Sequence, residues 1–370
     1  MVHGEAETSA MIACRTLALT TAAFLTLFRG DLTSSASPAG PQVAGVQRSG
    51  GVRVLPIRGN VYLLTGGGAN VTASVGKDGV VLVDSGSAAM ADAMLAAVRE
   101  LSRRVTASPA VSKSCVGTPG CSWWASSELL PTTSAPRAPR PILGIINTSD
   151  DIDHIAGNAV IAPAGWQFGV RNITGNSVPG AWIIAHENVS LRLTKAGRTT
   201  LTASETYFGR DKKLNFINGE GVVVTHLPAA HTDGDSMVYF RGSDVLVAGD
   251  ILDMTSYPVI DVERGGSIQG EVDALNWILD VAVIEHMMEG GTMIVPGHGR
   301  LTDSADVAYY RDMMTIMRDR VRELRRRGMT LGQIEASRPT RDYDGRFGRN
   351  PSWTPTQFIE AIYRSLDPKA

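Results

Sequence analysis

The stretch Asn147–Asn158, NTSDDIDHIAGN, carries three aspartates and one histidine in the five residues from Asp150 to His154. It follows the apolar run ILGIIN (142–147) and ends in a Gly-Asn pair, which predicts a loop directly after a strand. A side chain at such a junction is held firmly and remains open to solvent. Because carboxylates and imidazole suit zinc, iron and manganese, the stretch is a candidate metal-binding loop.

Four other apolar runs end in an acidic or imidazole side chain in the same way. They are VLVDSG with Asp84, LPAAHTDGD with His231, VLVAGDIL with Asp250 and IVPGHG with His298. Loops that follow strands can meet on one face of a rigid scaffold, so ligands far apart in sequence can build one site.

These five elements, in this order and each after a strand, resemble the metallo-β-lactamase superfamily over about residues 55–300. The resemblance implies an αββα sandwich, in which two mixed sheets face each other, helices lie outside and the site lies at the open edge of the sheets. The family motif H-x-H-x-D-H falls on Ser149, Asp151, Asp153 and His154. Two histidines of the motif are therefore replaced in this chain.

The resemblance implies two metal sites with unequal ligand sets. The second site keeps four family ligands, Asp153, His154, His298 and Asp250. The first site is altered and consists of His231, Asp250 as a bridge and Asp151, with Ser149 contributing weakly or through water. Carboxylates reduce the net charge of an ion, whereas neutral imidazoles do not. We therefore expect one or two zinc ions, and a first site that also accepts iron or manganese.

The implied reaction is hydrolysis by a metal-activated water that attacks a lactam, lactone, ester or thioester carbonyl. The candidate catalytic carboxylates, which would orient this water or accept its proton, are Asp151, Asp153 and Asp233. We expect Asp84 to brace the metal loop by hydrogen bonds. Tyr257 is a further candidate to reach the pocket, and His186 and His226 are interpreted as structural.

Two enzyme classes and one non-enzyme class are compatible with these motifs. Asp250 resembles the bridging ligand of glyoxalase-II-like thioesterases, whereas an exported location favours a β-lactamase or a scavenging role. A non-catalytic exported protein that keeps the fold and binds metal would also explain the loss of two motif histidines. Loss of turnover in Asp250→Asn, with folding retained, would indicate an enzyme.

The first 39 residues have the pattern of an export signal, with Arg15 before the apolar run 16–28 and small residues at 34–40. We expect signal 1–39, an exposed lead-in at 40–52, a metallo-β-lactamase-like domain at 53–302 with an inserted loop at 106–140, and a helical extension at 303–370 packed on the domain. An uncleaved N-terminal anchor is the alternative. The chain is thus expected to be secreted or periplasmic.

The inserted loop contains Cys115 and Cys121, a candidate disulfide in an exported protein, and the pair Trp123-Trp124, which favours a packing patch or a lid. Helices are predicted at 273–291, ending at Gly290, at 305–329, capped by Gly328, and from Pro355, where Thr354 and Gln357 match a capping box.

A net charge of -2 over 370 residues gives no basic surface for nucleic acid. After signal cleavage no apolar segment predicts a membrane contact, so the expected partner is a small-molecule substrate. No feature specifies an oligomeric state.

Overall fold

The computed structural model describes residues 47–107, 139–171, 177–282 and 290–366. The predicted export signal, the candidate disulfide and the tryptophan pair lie outside these ranges, as does nearly all of the predicted inserted loop.

Among the described residues, the strands form two mixed sheets and one hairpin. The first sheet has the spatial order β1 (Gln47–Ser49), β2 (Val52–Arg58), β3 (Val61–Thr65), β4 (Val71–Val75), β5 (Val80–Val83), β6 (Ile142–Ile146), β9 (Trp182–His186) and β10 (Glu205–Tyr207). The second has the order β11 (Asp211–Ile217), β12 (Glu220–His226), β13 (Ser236–Phe240), β14 (Val245–Asp253) and β15 (Met293–His298). The hairpin pairs β7 (Trp166–Arg171) with β8 (Ser177–Pro179).

Each sheet combines antiparallel and parallel pairs. The first is antiparallel from β1 to β5 and parallel from β5 to β10, and in the second only β14 and β15 are parallel. Strands β4, β5 and β6 are buried at every position, as sequences made mostly of β-branched and apolar residues predict for strands covered on both faces.

The described helices are α1 (Ala91–Ala107), α2 (Ile152–Ile155), α3 (Asn158–Ile161), α4 (Glu187–Lys195), α5 (Ile268–Val281), α6 (Ser304–Arg326), α7 (Leu331–Ser337), α8 (Arg341–Phe347) and α9 (Pro355–Ser365). None of these described helices is both long enough and apolar enough to cross a membrane.

The layers follow from the apolar clusters. Side chains of both sheets meet in a central core, where Val83 of β5 and Val247 of β14 belong to one cluster. Helix α1 covers the outer face of the first sheet through Met94. Helices α5, α6 and α9 cover the outer face of the second sheet, with Phe358 buried in that cluster. The αββα sandwich implied by the sequence is confirmed.

The C-terminal helices begin where their capping residues predict. Thr354 and Gln357 form a reciprocal capping box with Pro355 at the start of α9, and Asp303 caps α6 by accepting from Ala305 N and Asp306 N. Gly328 follows α6 at φ +82°, a left-handed conformation that favours glycine.

Some predicted boundaries were wrong. Helix α5 begins at Ile268, five residues before the predicted start at Asp273, because Ser267 caps it by accepting from Gly270 N. Strand β1 lies within the segment expected to be an exposed lead-in, and Val52 of that segment is fully buried. The hairpin and the short helices α7 and α8 were not predicted.

The sheet topology brings the polar strand ends together. Strands β5 and β6 are parallel, as are β14 and β15, so within each pair the residues that follow the strands meet at one edge. Asp84 follows β5, the Asn147–Asn158 stretch follows β6, and His298 ends β15.

Candidate metal centre

Six carboxylate and imidazole side chains converge in two groups. In each group the donor atoms lie within 4.8 Å of one another. One group is Asp153, His154 and His298, and the other is Asp151, His231 and Asp250. All six residues predicted as metal ligands are therefore brought together at this edge of the sandwich.

His154 is fully buried and anchored through its ring. Its Nδ1 donates to Asp84 Oδ2 at 2.7 Å, and Asp84 in turn accepts from Thr148 N at 2.8 Å and Thr148 Oγ1 at 2.7 Å. These bonds direct Nε2 to the opposite side, where it lies 2.9 Å from Asp250 Oδ1. An imidazole that is held through one nitrogen and directs the other at acidic donor atoms has the usual arrangement of a metal ligand.

His231 has the same arrangement in the second group. Its Nδ1 donates to the carbonyl of Val259 at 2.6 Å, and its Nε2 lies 2.6 Å from Asp151 Oδ2. The Asp261 amide donates to the His231 carbonyl at 2.9 Å, so the loop after β14 holds both the backbone and the ring of this histidine.

Asp250 lies between the two groups. Its Oδ1 is 2.9 Å from His154 Nε2 and 3.5 Å from His298 Nε2, and its carboxylate also belongs to the group with Asp151 and His231. His298 Nε2 lies 3.2 Å from Asp153 Oδ2. A carboxylate in this position can contact ions in both groups, as the bridging role implied by the resemblance requires.

The donors are strongly coupled in charge. Burial lowers the pKa of His154, but the charges of Asp250 and Asp84 outweigh this effect and raise that pKa well above its ordinary value. Burial acts on His231 in the same way and is outweighed by its hydrogen bond with Asp151, so its pKa is also raised well above the ordinary value. Protons on the imidazoles thus balance the clustered carboxylates, and a metal cation would take their place.

Asp151 remains ionised for a related reason. Burial would raise its pKa, but the hydrogen bond with His231 and the charges of His231 and Arg264 together hold it well below the ordinary value. The donor set, with three carboxylates and three imidazoles whose free nitrogens face them, fits one or two divalent ions.

The donors open into a small polar cleft of about 330 Å³. Apart from the candidate ligands, its walls are formed by Asp253, Thr255, Ser256, Val259, Arg264 and Asn350. Asn350 belongs to the C-terminal extension, so residues far apart in sequence close the cleft.

A network of ion pairs borders the cleft on the Asp151 side. Arg264 contacts Asp151 Oδ1 through Nη2 at 2.9 Å, Asp150 Oδ1 through Nη1 at 3.3 Å and Asp261 Oδ2 through Nε at 2.7 Å. Arg192 binds Asp150 through Nη2 at 2.7 Å and Nε at 3.0 Å.

The sequence suggested Asp233 as a catalytic carboxylate, but its side chain lies outside the cleft. Its carboxylate pairs with Arg192 and lines a neighbouring pocket instead of the cleft. The Asp233 amide donates to the Arg264 carbonyl at 2.9 Å, which fixes this turn with the side chain outside the cleft.

Two other candidates also lie outside the cleft. Ser149 is buried, and its Oγ accepts from the Asp151 amide at 3.2 Å. Tyr257 is fully buried, and its hydroxyl donates to Thr340 O and to Asp344 Oδ1, both at 3.1 Å. His186 and His226 stack on each other at a ring-centroid distance of 3.6 Å, and neither belongs to the two donor groups.

Sequence comparison decides the family. A model described as the metallo-beta-lactamase superfamily matches residues 59–305, which include all six candidate ligands. The chain belongs to the metallo-beta-lactamase superfamily. Members of this superfamily are mostly hydrolases and typically depend on a dinuclear metal centre. No curated protein matches the chain.

Solved structures show the same fold at low sequence identity. The stereoselective inverting sec-alkylsulfatase Pisa1 from Pseudomonas sp. is 13% identical with a TM-score of 0.55, covering 85% of this chain and 50% of that protein. The present chain therefore spans half the length of the alkylsulfatase. DIM-1 metallo-beta-lactamase is 14% identical with a TM-score of 0.48, covering 72% of this chain and 99% of that protein. The metallo-beta-lactamase from Pontibacter korlensis is 14% identical with a TM-score of 0.44, covering 71% and 99%.

Sequence reasoning missed several residues that shape the site. Thr148 lies in the opening stretch, and its role as a donor to Asp84 has no motif of its own. Arg264 lies in an ordinary polar loop, VERGG, whose contact with Asp151 depends on folding. The Val259 carbonyl is a backbone group and leaves no trace in the sequence.

Proposed function

We propose that the protein is a metal-dependent hydrolase that cleaves a small-molecule substrate with an activated water. The observation that carries this proposal is the pair of donor groups around Asp250, each with a buried histidine that is anchored through Nδ1 and directs Nε2 at a carboxylate of its group or at Asp250. A purely structural role would not require two imidazoles to be held in this way beside three carboxylates.

Each group is assigned one ion. Asp153, His154 and His298 would hold the ion of the second site, Asp151 and His231 would hold the ion of the first site, and Asp250 would contact both. A bound divalent ion supplies a water whose pKa is lowered to about 7 in favourable cases. Zinc suits the mixed nitrogen and oxygen donors, and the carboxylate-rich group with Asp151 also suits iron or manganese.

The proton of the attacking water is assigned to a carboxylate of the cleft. Asp153 is assigned this role in addition to its role as a ligand, because its side chain is 44% exposed and lines the cleft, where it can orient water and receive a proton. Asp151 is held by His231 and Arg264, which suits a ligand better than a base.

The substrate class is a lactam, lactone, ester or thioester. The cleft holds a small molecule, and Thr255, Ser256 and Asn350 provide polar wall atoms. The carboxylate at 250 between the two groups favours the thioesterase type of centre over the β-lactamase type. Sulfate esters are a second candidate, because the fold match with the sec-alkylsulfatase covers 85% of this chain. We propose that the protein acts after export, in the periplasm or outside the cell.

The experiment measures bound metal and turnover on the same preparation. Metal per chain is measured by plasma mass spectrometry, and hydrolysis is assayed on chromogenic lactam, lactone, ester, thioester and sulfate ester substrates. Asp250→Asn should abolish turnover while thermal unfolding stays near that of the wild type. The matched control is Asp273→Asn, an exposed carboxylate of α5 bonded to Gln269 outside the cleft, which should retain metal and turnover.

Each result has a distinct meaning. Two ions per chain with turnover would support the dinuclear hydrolase, and one ion with turnover a mononuclear hydrolase. Metal binding without turnover of any substrate would favour the non-catalytic metal-binding protein. A chain that takes up no zinc, iron or manganese would overturn the proposal.

A further inference from the structure

We infer that Arg264 is a positioning residue that fixes Asp151 as a single-oxygen ligand of the first metal site. This inference rests on the metal centre proposed above and concerns how that centre is built in this chain.

The two oxygens of Asp151 have different partners. Oδ2 lies 2.6 Å from His231 Nε2, on the side of the donor group, while Oδ1 forms an ion pair with Arg264 Nη2 at 2.9 Å. A guanidinium that pairs with the second oxygen of a carboxylate competes with an ion for that oxygen and leaves the first oxygen as the favoured donor. The arginine therefore disfavours chelation by both oxygens of Asp151 and sets the direction of the favoured donor.

The guanidinium itself is held rigidly. The Asp261 carboxylate accepts hydrogen bonds from Arg264 Nε at 2.7 Å and from the Arg264 backbone amide at 2.9 Å, which closes a short turn. The Asp150 carboxylate accepts from Arg264 Nη1 at 3.3 Å and also from two nitrogens of Arg192. A planar fork that is bound at all three nitrogens can orient a carboxylate much better than a flexible lysine ammonium.

Arg264 also offsets charge. In the family motif the position of Asp151 is a histidine, which is neutral when it binds metal. An aspartate adds one negative charge, and the contacting guanidinium adds one positive charge, so the pair is close to neutral at this side of the cleft. The loop that carries Arg264 also supplies the Val259 carbonyl to His231, so one segment orients both donors of the site.

The positioning effect and the charge effect of Arg264 predict opposite changes in zinc affinity when the arginine is removed. Loss of a cation beside the site would strengthen zinc binding, whereas loss of a fixed donor weakens it. Second-sphere partners of metal ligands typically contribute about 10–100-fold in affinity. We expect positioning to dominate because Asp151 Oδ1 contacts the guanidinium directly, while the charge is already shared with Asp150 and Asp261.

The test is zinc titration of the metal-free full chain against a chromophoric chelator, which resolves two binding steps. Arg264→Gln and Arg264→Lys should each weaken one step by about 10–100-fold. The other step should stay within about twofold and serves as an internal control for folding. Arg326→Gln is the matched control, because Arg326 pairs with Glu323 on the surface of α6 and contacts no residue of this ion-pair network, and both of its steps should stay near the wild-type values.

Arg264→Gln is then combined with Asp151→His in one chain. A histidine needs no guanidinium to direct its donor atom, so Arg264→Gln in this background should alter zinc binding by about twofold or less. Unchanged binding in both Arg264 variants, or tighter binding in Arg264→Gln alone, would overturn the positioning role and leave the proposed hydrolase intact. A wild-type chain that binds no zinc, iron or manganese would overturn the metal centre and this role together.

Discussion

At the scale of single residues, the centre depends on which nitrogen of each imidazole is anchored. Asp84 anchors His154 from a left-handed backbone conformation at φ +63°, which costs about 1–3 kcal/mol for a residue other than glycine. Its three hydrogen bonds to Thr148 and His154 offset that strain. The bracing role that the sequence suggested for Asp84 thus has a clear physical basis.

Asp84→Asn tests this bracing. Asparagine tolerates the left-handed conformation, but it lacks the charge that makes Asp84 a strong acceptor for His154 Nδ1. We expect zinc affinity of the group with Asp153, His154 and His298 to fall by about 10–100-fold, measured by competition with a chelator. Asp273→Asn, at an exposed carboxylate of α5, should leave this affinity unchanged. Equal affinities for wild type and Asp84→Asn would show that the anchor is dispensable.

Glu271 of α5 is a buried acid without a partner. Neither carboxyl oxygen has a hydrogen-bond partner among the described residues, and burial, together with the charge of Asp235, raises its pKa well above the ordinary value of 4.5. The folded chain therefore binds this proton more tightly than the unfolded chain. Its contribution to stability is full below about pH 4.5 and is lost as the pH rises towards the folded-state pKa.

Glu271→Gln removes this titration. When the pH lies above the pKa of Glu271 in both the folded and the unfolded chain, each unit by which folding raises that pKa lowers the free energy of unfolding by about 1.4 kcal/mol. Glu271→Gln should therefore be more stable than the wild type by at least about 1 kcal/mol at pH 8. At pH 4 the difference should vanish. Urea unfolding with a chelator present measures both values. Glu205→Gln, on an exposed side chain, should show no such pH-dependent gain, and a gain of equal size at pH 4 and pH 8 would contradict the explanation.

At the scale of elements, the pairing of β14, the strand that carries Asp250, becomes irregular just before Asp250. The pairing of β14 with β15 shifts register between Val247 and Gly249, and Gly249 adopts φ +57°. A Cβ at this position would lie 2.7 Å from Thr148 Oγ1 and 2.8 Å from Thr148 Cβ. The glycine therefore allows the strand of the second sheet to approach the metal loop of the first.

Gly249→Ala should destabilise the fold for two reasons. The left-handed conformation costs about 1–3 kcal/mol, and crowding against Thr148 adds a similar amount. Gly209→Ala separates the two effects, because Gly209 has φ +75° with nothing within 4 Å of its added Cβ. We expect urea unfolding to show at least about 1 kcal/mol more loss for Gly249→Ala. Equal losses would mean that Thr148 moves freely.

At the scale of the whole molecule, the C-terminal extension shares its core with the sandwich. Phe358 of α9 stacks on Tyr257 with ring centroids 4.6 Å apart, and both are fully buried in the cluster beneath the second sheet. Trp353 Nε1 donates to Pro258 O at 3.0 Å, next to the Val259 carbonyl that anchors His231. The described residues belong to one compact unit, so we propose that extension and sandwich unfold together.

Phe358→Ala measures this cooperativity. Removing a buried phenylalanine costs about 3–5 kcal/mol, and we expect one thermal transition, shifted downward, with coincident fluorescence and circular dichroism curves. Phe208→Ala, at a side chain that is 69% exposed, should change little. Two separated transitions, with zinc still bound after the first, would mean that the extension folds independently.

The sequence by itself determined the sandwich, the order of the polar strand ends and the six candidate donors. These features arise from local patterns: buried strands followed by turns, and caps such as Thr354 with Gln357. Only the tertiary structure decided which carboxylates face the cleft. Asp233 and Tyr257 bind partners outside the cleft. Arg264 and the Val259 carbonyl enter the site from a loop that is distant from Asp151 in the sequence. The direction of a side chain in a loop depends on long-range packing and ion pairs, and residue spacing does not encode them.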